Sequence, residues 1–112
     1  MTWNLFLDDE RFPPNDVREW VIARNVESAM TECINRGNPS YISFDHDLGE
    51  NERTGYDLAK MLVEDALNFP DWPEYQLPSD FSFYVHSQNP VGKANIEGFL
   101  NNYLKVKNAN LL

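Results

Sequence analysis

The chain has 112 residues, 42% hydrophobic and 13% aromatic, which suffices for one cored domain spanning residues 1–112 and leaves no room for two. Eighteen acids against nine bases give a formal charge of −9, which excludes bulk, sequence-indifferent binding of duplex nucleic acid, because such binding rests on Lys and Arg neutralising phosphates. No apolar run approaches a membrane span and Met1-Thr2-Trp3-Asn4 lacks the basic start of a signal peptide, so a cytoplasmic protein with no membrane partner is expected.

The first apolar run, residues 3–7, reads as a strand stopped by Asp8-Asp9-Glu10-Arg11 and then by Pro13-Pro14. Residues 8–18 are too short and too proline-rich for a full crossover helix, so a turn or one helical turn should lead to a second, weaker strand at 20–23. Asn25 is placed as the N-cap of a helix whose Val26, Ala29, Met30, Cys33 and Ile34 recur at helical spacing, with Gly37 as its stop. Cys33, the single cysteine, excludes an intramolecular disulfide and reads as a small buried hydrophobe. Residues 41–44 form a third strand running into Asp45-His46-Asp47-Leu48-Gly49. Thr54 and Asp57 make a capping box for a second helix with Leu58, Met61, Leu62 and Ala66 on its apolar stripe. Three prolines make residues 69–80 a loop or small insertion, and Asp71, Trp72, Glu74 and Tyr75 make it a candidate contact surface for a protein partner. A fourth strand at 81–85 ends at His86-Ser87-Gln88-Asn89-Pro90, where Asn89 caps a last helix with Pro90 at its first position. That helix buries Ile96, Phe99, Leu100, Tyr103 and Leu104, and residues 105–112 leave space for a short fifth edge strand.

Strands alternating with helices imply parallel pairing, and ligands of such sheets bind outside the carboxyl ends of the strands. Asp8, Asp9, Glu10 and Arg11 follow the first strand, Asp45, His46 and Asp47 the third, and His86, Ser87 and Asn89 the fourth. Singly, Asp9 or Asn89 would do no more than make a turn or a cap. Together, both histidines and several carboxylates at one edge are costly unless a cation or substrate offsets them. Asp8, Asp9, Asp45 and Asp47 can supply oxygen ligands to Mg²⁺ or Mn²⁺. His46 and His86 suit acid–base work, since an unperturbed imidazole exists in either state near neutrality. Arg11, Lys93 and the last helix's N-terminus, with Gly92 permitting close approach, suit a phosphate. Phosphoester chemistry therefore fits better than acyl transfer. Ser87 beside His86 is a weak nucleophile signal, because neighbours on an extended segment point apart.

Four motifs taken in order, Leu5-Phe6-Leu7-Asp8-Asp9-Glu10-Arg11, Ser43-Phe44-Asp45-His46-Asp47-Leu48-Gly49, Thr54-Gly55-Tyr56-Asp57 and Val85-His86-Ser87-Gln88-Asn89-Pro90-Val91-Gly92, resemble the cyclic-phosphate-processing receiver-like domains. The resemblance runs from about residue 4 to 104. It implies an α/β, receiver-like (flavodoxin-like) three-layer sandwich whose mostly parallel sheet has four strands, or five with the edge strand. It also implies a hydrolase or phosphodiesterase role on cyclic phosphates, at RNA ends as in RNA repair or in cyclic nucleotides. Carried over by motif, Asp8 and Asp9 are the acidic pair, Asp45 the strand-three acid, and His46, Asp47, His86, Ser87 and Asn89 the family's additions. The leading expectation is a metal-assisted phosphoesterase, with Asp45, His46, His86 and Ser87 as catalytic residues and Arg11, Asn89, Gly92 and Lys93 holding phosphate. Its ligand would be a small phosphorylated molecule or an RNA terminus. The alternative is a non-catalytic receiver-like module that binds a nucleotide, a metal or a protein. A phosphorylated response regulator labelled at Asp45 is disfavoured, because no lysine follows a fifth strand.

Overall fold

The structure, a computed structural model, describes residues 2–109. Four strands, β1 (Asn4–Leu7), β2 (Trp20–Ala23), β3 (Tyr41–Phe44) and β4 (Ser82–Val85), form one sheet in the order β2-β1-β3-β4. Every neighbouring pair is parallel. Three helices, α1 (Val26–Arg36), α2 (Gly55–Asn68) and α3 (Pro90–Asn108), follow β2, β3 and β4. This is the α/β receiver-like architecture that the sequence implies.

The helix starts rest on the expected side chains. Asn25 Oδ1 accepts from the Ser28 N–H at 2.8 Å, and Asn89 Oδ1 from the Gly92 N–H at 3.0 Å. In the capping box of α2, the Thr54 N–H donates to Asp57 Oδ2 at 2.8 Å and the Asp57 N–H to Thr54 Oγ1 at 3.2 Å. Each satisfies a backbone donor that the first helical turn leaves without a partner. The proline-rich stretch holds only a 3₁₀ turn over Pro73–Tyr75, with Phe69, Trp72 and Tyr75 clustered by their rings.

Strand alternation decides where the core lies. Leu5, Leu7, Ala23, Ile42, Phe44 and Val85 point to one side and join Val26, Ala29, Leu58, Leu62, Ile96 and Leu100 in a single buried cluster. α2 packs against both α1 and α3 on that side. Phe6, Trp20, Tyr41 and Tyr84 stand on the opposite side and line an open groove. The third layer of the expected sandwich is therefore missing among the described residues: the sheet has helices on one face only. The cause lies between β1 and β2, where residues 8–19 form a strap with no helix. The fifth strand is also corrected, since residues 105–108 continue α3; residues 110–112 lie outside the description. No helix among the described residues is long and apolar enough to cross a membrane.

Candidate functional site

The sheet's hydrogen-bond ladder runs one residue past the strands. The N–H of Asp8 donates to the Ala23 carbonyl at 3.1 Å, that of Asp45 to Leu7 at 2.9 Å, and that of His86 to Phe44 at 2.9 Å. Leu7 pairs with Phe44 and Phe44 with Val85, so Asp8, Asp45 and His86 form the next row of the pleat. Three chemically active side chains thus inherit the order of three strands and meet at the carboxyl edge.

His86 Nε2 lies 2.9 Å from Asp8 Oδ2, and its Nδ1 2.8 Å from Ser43 Oγ. The imidazole stacks on Phe6, with centroids 4.7 Å apart and planes 2° from parallel. Ser43, a buried polar residue in an otherwise apolar strand, was not picked out from the sequence, although a lone serine within a Tyr-Ile-Ser-Phe run was the available signal. Asp8 is fully buried; its Oδ1 accepts from the backbone N–H groups of Glu10 (2.9 Å) and Arg11 (2.8 Å). Arg11 Nε sits 3.1 Å from Asp8 Oδ2, and Arg11 Nη2 3.7 Å from Asp45 Oδ2. Arg24, also missed, donates to the carbonyls of Asp8 (3.1 Å) and Arg11 and fixes the start of the strap.

The two buried acids titrate in opposite directions. Burial pushes Asp8 upward, but the N–H groups of Arg11 and Glu10, the His86 hydrogen bond and the Arg11 charge outweigh it, leaving the carboxyl below its ordinary value. Asp45 is raised, first by burial and then by the charge of Asp8, against the His46 N–H, His86 and Arg11. Two carboxylates are thus buried side by side with Arg11 against both.

Asp8, Asp45 and His86 each offer a ligand atom, and these atoms all lie within 4.8 Å of one another. Ligands on adjacent corners of an octahedron with bonds of about 2.1 Å stand about 3 Å apart, close to the 2.9 Å between His86 Nε2 and Asp8 Oδ2. If the Nδ1 proton is donated to Ser43, the Nε2 lone pair is available, the arrangement usual for a metal-bound histidine. The donor set fits a divalent cation. Asp9 and Asp47, expected as further ligands, do not belong to this cluster.

His46 sits apart. It shares its side of the pleat with Ile42 and Phe44, towards the helices, whereas His86 leans over the bare side. His46 Nδ1 is 2.8 Å from Asp47 Oδ1, and Asn89 Nδ2 lies 3.2 Å from Asp47 Oδ2. The imidazole packs on the start of α3, where a Cβ at position 92 would overlap it. Gly92 thus makes room for His46, and its N–H donates to Asn89 Oδ1 in the N-cap of α3. Lys93 Nζ lies 5.9 Å over the Tyr84 ring, and Ser87 Oγ accepts from the Asn89 N–H at 3.1 Å, the bond of a turn. Asp9, Arg11, Asp45, Asp47, Ser87 and Asn89 nevertheless border one crevice of about 500 Å³ at this edge.

A family model for the cyclic-phosphate processing receiver domain matches residues 3–102. The chain belongs to that family. No curated protein and no solved structure matches it. In this cyclic-phosphate processing receiver domain, then, the strand-end acids and His86 are gathered, while the two histidines are held on opposite sides of the sheet's edge.

Proposed function

We propose that the domain hydrolyses a cyclic phosphodiester, of a nucleotide or an RNA terminus, with a divalent cation held by Asp8, Asp45 and His86. One observation carries this reading: two buried carboxylates and an imidazole converge beside Arg11 with their ligand atoms all within 4.8 Å of one another. The imidazole in the set favours Mn²⁺ over Mg²⁺, whose sites are built from carboxylate, carbonyl and water oxygens. Such a cation would supply charge opposite the phosphoryl oxygens and acidify a water molecule. Ser43 and Phe6 hold the His86 ring in its orientation. Arg11, whose side chain is 44% exposed, can exchange a carboxylate for a phosphate oxygen at the crevice. His46 is a positioning residue, keeping Asp47 and Asn89 against the crevice wall.

The test offers the purified chain 2′,3′-cyclic nucleotides and an RNA with a terminal cyclic phosphate, with and without Mn²⁺, and follows monoester formation and thermal unfolding together. Turnover and stabilisation by Mn²⁺ should both disappear in His86→Ala and Asp45→Asn. Full activity in both variants would sink the reading. A second reading, a non-catalytic binding module, is favoured by the self-sufficiency of the site: Asp8 and His86 already have partners at every side-chain nitrogen and oxygen. Saturable binding of the cyclic nucleotide without monoester formation would select it. The exposed Trp72 and its ring neighbours would then be the place for a protein partner.

A further inference from the structure

The face of the sheet that no helix covers bears a groove of about 330 Å³. Trp20, Tyr41 and Tyr84 line it from the sheet and Phe12 from the strap, with Arg11, Asp16 and Arg18 as its charged members. Tyr84 and Phe12 are 55% and 77% exposed and stand together at this groove. The Arg18 guanidinium lies 4.2 Å from the Tyr41 ring centroid, flat surfaces on which another planar group can stack.

We propose that this groove receives the nucleobase of the ligand, stacked between Tyr84 and Phe12 and against Arg18, while the phosphate lies at Arg11 beside Asp8, Asp45 and His86. The inference rests on the reading of the acidic cluster as a phosphate-processing site. Continuity supports it: His86 belongs to the donor cluster and borders the groove, and Arg11 borders the groove and the crevice alike. The polar lining suits a planar polar group better than an apolar helix: Arg18 is paired with Asp16 at 3.2 Å within the groove, Arg11 with Asp8 at 3.1 Å, and Lys93 reaches Tyr84 at its edge. Stacking on aromatic rings is tolerant of base identity, so the groove predicts a preference for nucleosides over base-free phosphates and little choice among bases.

The experiment compares 2′,3′-cyclic AMP with glycerol 1,2-cyclic phosphate, which keeps the five-membered phosphate ring and lacks a base. Binding of each is measured by isothermal titration with Mg²⁺ or Mn²⁺ present. The nucleotide should bind about tenfold more tightly or better. The double variant Phe12→Ala/Tyr84→Ala, altered only at exposed rings, should erase that advantage and leave glycerol 1,2-cyclic phosphate unchanged. Equal affinities, with the variant changing neither, overturn the base groove and leave the phosphate site standing. Failure of both ligands to bind overturns the groove and the phosphate site together. A concentration-dependent dimer that the double variant dissociates would also overturn the proposal, since the groove would then be an interface between copies.

Discussion

The two faces of the sheet come from the same four strands and the same alternation, yet they have opposite fates. The covered face is apolar at every row, with Leu5, Leu7, Ile42 and Phe44 fully buried beneath three helices. The bare face mixes rings with Ser43, and at its upper edge sit Asp8, Asp45 and His86. One face holds the apolar core; on the other the buried polar groups Asp8, Ser43 and Asp45 are each matched by hydrogen-bond partners. In this fold no helix lies between β1 and β2, and the acidic cluster stands on the side so left bare.

Several changes would break or sharpen the contrast. The largest effect is expected from Phe44→Ala on the covered face, which should cost about 3–5 kcal/mol in urea unfolding by leaving a cavity in the core. Gly92→Ala should cost about 1–3 kcal/mol, because the new methyl must displace the His46 ring. Imidazole NMR signals of His46 should shift in that variant while those of His86 stay in place, and equal shifts of both would contradict the two-sided arrangement.

Asp45→Asn should stabilise the cation-free protein at pH 7. The fold raises the Asp45 pKa above 3.8, so the unfolded chain gives up that proton first. The cost of the charge is absent well below that value, grows as pH rises and is complete above the folded pKa. The advantage of the variant should therefore fade on acidification, and a gain that persists undiminished at pH 3 would refute the assignment. Asp8 has the opposite sign: its ionised form contributes stability above 3.8 that is lost as pH falls through its lowered folded value. Smallest of all, Tyr84→Ala on the bare face should change stability by no more than about 0.5 kcal/mol.

Much of this was legible in the sequence because strand ends and helix caps are local matters. Asn25, Thr54 with Asp57, and Asn89 with Pro90 announce their helices, and β2 and β3 have the predicted bounds. The family follows from four motifs in order. What stayed hidden was orientation. Asp45 and His46 are neighbours, so the pleat sends them to opposite sides, and proximity at one edge did not mean a shared pocket for His46 and His86. Parity could have shown it: Asp8, Arg24, Asp45 and His86 are each the first residue after a predicted strand and so occupy one row. The contact of Gly92 with His46 stayed hidden for a different reason, since a glycine at a helix start makes room equally for an anion or for an imidazole arriving from another loop. The three-layer expectation failed because helices on the second face are a property of the resemblance, whereas the short, proline-bearing link at 8–18 had already removed one of them.

Asp8 and Asp45 leave β1 and β3, the two strands that are hydrogen-bonded on both flanks. Amide exchange with solvent should accordingly be slowest at the roots of the acidic cluster and fastest along the strap that carries Arg11 and Phe12. The anchoring groups are thus set in the part of the molecule that opens last, and those that would meet an incoming ligand in the part that opens first. Such a division would let the strap diversify over evolution, altering what is admitted, without loosening the carboxylates beneath it.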